Sequence, residues 1–277
     1  MNLLFLILKI LSSFLPKGLG ELVARASARI SYTLFYKQGL RNHCSNLRLV
    51  FKDKKEKELL KISKRAGMNL AVCLYEQLTM GRLLNNRNYH KFLKAENFHN
   101  LRNAHKEGNG VVVMTGHLGN YEWGATMTGY KGYNIAVISV EYRTAFIRDI
   151  YESNRKKADI GVFYVKRSFS GPVRFLKNGG VLAIAGDRNF EGATVPVKMF
   201  GKNVEIPKGG FFLASKLRIP IVMAFSVRER DNLYHVYFEE PFMIKQDDIE
   251  KGIKKYVKTL EKYIRKYPDQ WLLFDKL

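Results

Sequence analysis

Acidic residues are scarce in this chain, which has 25 Asp and Glu against 47 Lys and Arg among 277 residues, giving a formal net charge of +22. A surface with so little negative charge attracts polyanions, such as nucleic acids, anionic membranes, acidic proteins and phosphorylated substrates. The chain has neither zinc-finger spacing nor a basic-aromatic strand motif of the RNA-recognition type. We therefore expect no nucleic-acid partner, whereas an anionic membrane, an acidic protein or a phosphorylated substrate remains a possible partner.

Cysteine is also rare. The chain has only Cys44 and Cys73, and their separation fits no metal site. Both lie in segments with a helical pattern, so we expect reduced core residues rather than a disulfide framework. The sequence therefore predicts no metal site.

Long apolar runs are missing as well. Residues 3–15 are strongly apolar, but Lys9 interrupts them and Pro16 ends them before the roughly 20 residues that a membrane-spanning helix needs. The basic segment that opens a signal peptide does not precede them. We interpret residues 1–16 as an uncleaved membrane-associating helix that enters or lies on the bilayer, with a buried core helix as the alternative.

The rest of the chain predicts an α/β fold. Residues 17–105 have mostly helical patterns, whereas residues 106–277 alternate helical segments with short, continuously apolar runs. Runs of this length are typical of strands buried on both faces of a parallel sheet. We expect a single domain over residues 17–277, with a mostly parallel central sheet flanked by helices and an α-helical N-terminal third. The predicted strands are 111–114, 135–140, 181–185 and 219–225.

A C-terminal helix is the clearest periodic element. It follows Asp247 or Asp248 as a candidate N-cap and ends before Pro268. Its apolar residues fall on one face and its lysines mostly on another. We expect the apolar face to dock on the sheet. The basic face is either solvated or meets headgroups or an acidic partner.

Polar residues follow three of the predicted strands. The first strand leads to His117, the second to Arg143, and the third to Asp187 and Arg188. Ligands of open α/β sheets bind in the crevice outside the carboxyl ends of the strands. We therefore expect these four residues to share one rim.

The segment Gly116-His117-Leu118-Gly119-Asn120-Tyr121-Glu122 carries the main candidate chemistry. Because His117 and Glu122 lie on either side of a strand end and a glycine turn, their side chains can converge. We expect Glu122 to hold one ring nitrogen while the other takes a proton from a hydroxyl, which is general-base catalysis without a protein nucleophile. His235 and Glu240 have the same spacing, but within a predicted strand it puts them on opposite faces.

Several short motifs extend along the chain in a specific order. Together they resemble the bacterial lipid A late acyltransferases, the lauroyl and myristoyl transferase family of the lysophospholipid acyltransferase-like superfamily. The resemblance covers nearly the whole chain. Its motifs are Asn46-Leu47, Gly116–Glu122, Tyr142-Arg143, Asn154-Arg155, Asp187, Val195–Gly201, Pro207 with Gly209, and Tyr267–Phe274.

The resemblance implies an O-acyltransferase that moves a fatty acyl chain from a thioester to a hydroxyl of a phosphoglycolipid, most simply a lipid A precursor. It implies the cytoplasmic face of the cell inner membrane, an acyl carrier protein as donor with coenzyme A thioester as the alternative, and no further cofactor. A phosphoinositide mannoside or a glycerophospholipid is the alternative acceptor. A soluble hydrolase that activates water with His117 is the remaining alternative.

The resemblance also implies roles for single residues. His117 would be the general base and Glu122 would orient it. Arg155, Arg143 and Arg188 would bind phosphates of the acceptor, because guanidinium groups form bidentate bonds with phosphate. The other candidates are Asp187 and Asn120 for substrate binding, and the backbone amides near Gly119 or Gly201 for the oxyanion.

Overall fold

The computed structural model describes residues 14–34, 37–106, 110–142, 144–165, 168–188, 192–245 and 248–277. Its helices are α1 (Lys17–Leu34), α2 (Lys37–Val50), α3 (Glu56–Leu83), α4 (His99–His105), α5 (Tyr121–Tyr130), α6 (Ala145–Lys157), α7 (Ser170–Lys177), α8 (Gly209–Leu217) and α9 (Ile249–Lys266). Its strands are β1 (Leu93–Glu96), β2 (Val111–Thr115), β3 (Ile135–Ser139), β4 (Ile160–Tyr164), β5 (Val181–Ala185), β6 (Thr194–Met199), β7 (Lys202–Pro207), β8 (Ile221–Arg228) and β9 (Tyr234–Phe238).

The chain divides into two compact units. The first comprises Met1–Asn85, Tyr142–Asn154 and Tyr263–Leu277, and the second comprises Asn86–Glu141 and Arg155–Lys262. Much of the predicted N-terminal helix, residues 1–13, lies outside the described residues. Within the described part of the chain, no helix combines the length and the apolar character needed to cross a membrane.

The first unit is helical. Helix α1 packs along α3, where Gly20 meets the Tyr75 ring so closely that a β-carbon would collide with it. The Arg25 guanidinium donates a hydrogen bond of 3.1 Å to the Asn69 side chain across the same contact. The opposite side of α1 leaves apolar side chains exposed to solvent.

The second unit is built on a seven-stranded sheet in the order β1-β9-β8-β2-β5-β3-β4. Every pairing is parallel except that of β8 with β9. The central strand β2 buries each of its apolar side chains, as a continuous valine run predicts for a strand covered on both faces. A separate antiparallel hairpin joins β6 to β7. The predicted α/β class with a mostly parallel sheet is confirmed.

One strand lies inside the segment that the sequence predicts as helical. Strand β1 pairs in parallel with β9, about 140 residues further along the chain, with Leu93 beside Tyr234. A strand of four residues is too short to show a period of its own, and its partner is remote in sequence. The helical assignment of residues 17–105 is therefore wrong at Leu93–Glu96.

Candidate active site

The two central side chains of the site directly follow the C-terminal ends of β2 and β5. These strands are parallel neighbours, and their register aligns Thr115 with Ala185. The Gly186 amide continues the ladder with a hydrogen bond of 2.9 Å to the Thr115 carbonyl oxygen. Because both strands end at the same level, the residues that follow them, His117 and Asp187, emerge side by side.

Asp187 binds His117 in two places. Its Oδ1 lies 2.6 Å from the ring Nδ1, and its Oδ2 accepts the backbone N–H at 2.9 Å. The Asp187 side chain is almost fully buried, while that of His117 retains 14% exposure. A carboxylate at Nδ1 selects the tautomer with the proton on that nitrogen and leaves the basic lone pair on Nε2.

The Asp187 carboxyl stays ionised in this setting. Burial alone would raise its pKa, but the charge of His117 and the hydrogen bonds from its ring and backbone outweigh burial, so the pKa lies below its usual value. The site therefore holds a negative charge beside an imidazole. That arrangement stabilises the imidazolium formed when Nε2 accepts a proton.

The pairing of Glu122 with His117 predicted from the five-residue spacing is replaced at Nδ1 by Asp187. Glu122 instead lies in the first turn of α5, and both of its carboxylate oxygens accept hydrogen bonds from Arg155. The reason is tertiary. Strand register brings position 187 next to position 117, whereas the start of α5 directs Glu122 to the last turn of α6.

Glu122 and Arg155 form a buried bidentate ion pair. The Nη2–Oε1 distance is 2.6 Å and the Nε–Oε2 distance is 3.1 Å, and neither side chain is more than 10% exposed. Arg155 also donates from Nη1 to the Ser139 hydroxyl at 3.2 Å, which ties the pair to the end of β3. Arg155 was predicted to bind phosphate. Its burial against Glu122 and Ser139 favours a positioning role for the loop after β2.

Asn120 and Gly119 shape that loop. Asn120 is buried and caps α5, because its Oδ1 accepts the Trp123 amide at 3.1 Å. Gly119 has φ +57° and bridges to Ser226 of β8, where a β-carbon would collide with the Ser226 carbonyl oxygen. Only glycine fits there. The predicted substrate role of Asn120 and the predicted oxyanion role of Gly119 stay predictions.

The other backbone candidate, Gly201, lies in the turn of the β6–β7 hairpin. Phe200 and Gly201 have φ of 51° and 82°, as in a type I′ turn, and space around Gly201 is open. The turn is tied to α9 by a hydrogen bond from the Phe200 amide to the Glu261 carboxylate. Backbone geometry thus accounts for this glycine. Its predicted oxyanion role stays a prediction.

Two of the predicted phosphate ligands remain as sequence candidates. Arg188 directly follows Asp187 and is partly exposed at the same strand end. Arg143 lies outside the described residues.

Helix α9 packs against the end of β2 and the glycine that follows it. The Tyr256 hydroxyl donates a hydrogen bond of 2.7 Å to the Thr115 carbonyl oxygen. A β-carbon on Gly116 would lie 2.9 Å from the end of the Leu260 side chain, so α9 packs closely against this glycine. Burial, and then the charge of Asp187, raise the pKa of Tyr256 well above its ordinary value, so the phenol stays neutral. The tyrosine hydroxyls on the mostly apolar face of this helix were the available sequence signal for this contact.

Two motifs at opposite ends of the chain meet in the first unit. His43 Nε2 lies 2.9 Å from the Trp271 carbonyl oxygen, and its ring stacks on Phe274 at 4.9 Å between centroids. The Asn46 amide donates to the Asp275 carbonyl oxygen at 2.7 Å. The Asn-Leu motif therefore holds the C-terminal segment. Burial lowers the pKa of His43 to about 4 despite the hydrogen bond to Trp271, which acts in the opposite direction.

A histidine whose Nδ1 is held by a buried carboxylate, at the carboxyl ends of parallel strands, has the geometry that a general base needs in an α/β enzyme. The chain matches the family described as bacterial lipid A biosynthesis acyltransferase over residues 2–277, and it belongs to that family. It is accordingly an acyltransferase of lipid metabolism. A comparison with curated proteins gave no match.

Proposed function

We propose that this chain transfers a fatty acyl group from an acyl-thioester to a hydroxyl of a phosphoglycolipid, a lipid A precursor in the simplest case. The observation that carries the proposal is the His117–Asp187 pair, with Nδ1 and Oδ1 2.6 Å apart. Such a pair activates a hydroxyl without a covalent enzyme intermediate. Membership of the lipid A acyltransferase family supports the acceptor class.

In the proposed reaction, His117 Nε2 removes the proton from the acceptor hydroxyl as its oxygen attacks the thioester carbonyl. A C–O bond forms, and collapse of the tetrahedral intermediate breaks the C–S bond. The proton on Nε2 then passes to the departing thiolate, which leaves the imidazole neutral again. Asp187 stabilises the transient imidazolium and keeps the ring oriented. Glu122 and Arg155 act one step away, by fixing the loop that carries His117.

The acceptor would be positioned through its phosphates. Arg188, beside Asp187, is the candidate ligand in the described rim, and Arg143 is the second candidate from the sequence. Two bidentate guanidinium contacts would orient the acceptor hydroxyl toward Nε2, and holding both substrates in line supplies much of the rate.

We propose an acyl carrier protein as the thioester donor. Such proteins are acidic, and a net charge of +22 favours their encounter with this chain by electrostatic steering. Coenzyme A thioester is the second candidate donor.

The proposed location is the cytoplasmic face of the cell inner membrane. Helix α1 supports attachment to a membrane surface, because apolar residues spaced three, four and seven apart leave its outer face exposed. These residues are Leu19, Leu22, Val23, Ala26 and Ile30. Leu22 and Ile30 are each more than 60% exposed. An apolar stripe with arginines beside it is typical of helices that lie in the bilayer interface.

Lipid mass spectrometry tests the proposed reaction. Cells that lack the gene would receive wild type, His117→Ala or Asp187→Asn, with His235→Ala as the matched control. His235 is a suitable control because it also contacts carboxylates, those of Glu96 and Asp231, but belongs to β9. We expect wild type and the control to restore a phosphoglycolipid heavier by one acyl chain, and the two site variants to restore little.

Restoration by His117→Ala would contradict the general-base mechanism. A heavier phosphoinositide mannoside or glycerophospholipid would move the acceptor to that class. Release of free fatty acid from the thioester by purified wild-type protein, with no lipid gaining mass, would favour the hydrolase.

A further inference from the structure

Helix α9 has two faces of different chemistry. Through Tyr256 and Leu260, the buried face contacts Thr115 and Gly116, which lead to His117. The opposite face carries five exposed lysines, here called the lysine face: Lys251, Lys254, Lys255, Lys258 and Lys262. All five belong to the second unit, which also contains His117 and Asp187.

Helix α9 has two acidic residues, Glu250 and Glu261, against the five lysines of this face. Glu250 pairs with Lys254 at 2.6 Å, and both side chains are more than half exposed, where an ion pair is weak. The Glu261 carboxylate accepts the Phe200 amide of the neighbouring hairpin turn. Lys251, Lys258 and Lys262 are spaced seven and four residues apart, so they line up along the centre of the lysine face.

The lysine face lies close to the proposed active site. An α-helix with its side chains is roughly 10–12 Å across. Because the inner side of α9 touches Thr115 and Gly116, a molecule bound to the outer side lies about one helix diameter from the segment that leads to His117. That separation suits a donor that holds its acyl group at the end of a flexible arm.

We propose that the lysine face of α9 is the docking surface for the acidic carrier protein that delivers the acyl thioester. This inference rests on the proposed transferase function and adds where its donor binds. The charge of the face is complementary to an acidic protein helix, and charges at an interface set encounter rate and register.

The chemistry of the face favours a protein over a bilayer. The structure describes every residue of α9, and none of its exposed residues has a large apolar side chain. Ile253, Tyr256, Val257 and Leu260 are all buried. An interfacial helix needs an apolar face to insert, and in this chain it is α1 that exposes one. A purely basic, polar face can bind a folded acidic surface without insertion.

The test compares two charge-matched triple variants. Lys251→Glu/Lys258→Glu/Lys262→Glu reverses the centre of the lysine face. Lys57→Glu/Lys61→Glu/Lys64→Glu makes the same change of charge on exposed positions of α3. Each protein is measured for its Kd for the holo-acyl carrier protein, without acceptor, and for kcat/KM with lauroyl-carrier protein and lauroyl-pantetheine in the same detergent micelles.

We expect the α9 variant to bind the carrier protein at least about ten-fold more weakly than the α3 variant. The ratio of kcat/KM for the carrier-bound donor to that for the pantetheine donor should fall by a similar factor. Raising the salt concentration should reduce the difference in carrier-protein affinity between the two variants, because screening weakens exposed charge pairs. Far-ultraviolet circular dichroism verifies that the α9 variant is folded.

Three outcomes would overturn the proposal. Equal carrier affinity in the two variants would show that the lysine face is not the docking surface. An equal loss with both donors would assign the lysines to the acceptor or the micelle. Loss of flotation with phosphatidylglycerol vesicles, at unchanged carrier affinity, would make the face a membrane contact. If wild type binds the carrier protein but acylates no lipid with either donor, the proposed function fails while docking stands.

Discussion

Nδ1 of His117 lies 2.6 Å from Oδ1 of Asp187, although 70 residues separate them in the chain. Asp187 also accepts the backbone N–H of His117, so one carboxylate fixes both the ring and the segment that carries it. This relationship places Asp187, rather than Glu122, where it would orient His117 in the proposed general-base mechanism.

Asp187→Asn tests that assignment directly. An amide at this position can hold the ring in the wrong tautomer and no longer stabilises the imidazolium, so we expect kcat to fall by about 10³- to 10⁴-fold. Steady-state kinetics with a thioester donor measure the loss, and KM for the acceptor separates orientation from binding. If kcat is unchanged and only KM for the acceptor rises, Asp187 binds substrate, as the sequence first suggested.

The Glu122–Arg155 pair should be structural. Replacing Glu122 or Arg155 alone by Ala leaves an uncompensated charge in a buried site, which costs about 3–5 kcal/mol. The double variant Glu122→Leu/Arg155→Met should recover most of that stability, since two apolar groups of similar volume need no partner. Denaturant unfolding of wild type, the two single variants and the double variant measures these differences. A stable Arg155→Ala protein with a raised KM for the acceptor would instead identify Arg155 as a phosphate ligand.

His43 should make stability depend on pH. Its folded pKa is about 4 against 6.5 for a free imidazole, so the unfolded chain takes up the proton first as the pH falls. The contribution of His43 to the free energy of unfolding is therefore present in full above pH 6.5 and is lost as the pH falls toward 4. Between pH 7 and pH 5 we expect His43 to account for a loss of about 2 kcal/mol.

His43→Gln is the matched variant, because an amide can keep the contact with the Trp271 carbonyl oxygen but does not titrate. The difference in unfolding free energy between pH 7 and pH 5 should be smaller in this variant by the stated amount. Parallel pH curves for the two proteins would contradict the assignment.

Gly119, in the loop between β2 and α5, should tolerate no side chain. Gly119 and Gly201 both have positive φ, but only at Gly119 would a β-carbon collide with backbone, at Ser226. Gly201→Ala should therefore cost about 1–2 kcal/mol through its backbone conformation alone. Gly119→Ala should cost about 1–3 kcal/mol more through the collision. Thermal unfolding measures both, and equal losses would mean that the loop relaxes freely away from Ser226.

The exposed stripe of α1 predicts surface attachment. Leu22→Asp/Ile30→Asp removes the two most exposed large apolar side chains of residues 17–31, the part of α1 whose side chains are described, and it should reduce flotation with anionic vesicles by about ten-fold or more. Lys57→Asp/Lys61→Asp on α3 is a control for exposed substitutions with aspartate. Equal flotation of the two variants would assign membrane attachment to another part of the chain.

The strands whose apolar runs are continuous could be predicted from the sequence. Val111–Thr115 and Val181–Ala185 are confirmed almost residue for residue, because a strand covered on both faces needs apolar side chains at every position. The hairpin of β6 and β7 alternates buried with exposed residues and belongs to no layer of the central sheet, so a search for continuous runs misses it. Strand β1 shows no pattern in its four residues.

By itself the sequence determined the α/β class, the strand-end position of His117 and the order of motifs that places the chain among the lipid A acyltransferases. These features are local: periodicity, a glycine turn after a strand and fixed spacings. Only the tertiary structure decided which carboxylate faces the imidazole. The five-residue spacing favoured Glu122, but the parallel register of β2 and β5 brings Asp187 next to the His117 ring. Glu122 instead forms an ion pair with Arg155. Strand register depends on packing of the whole sheet, and no local spacing encodes it.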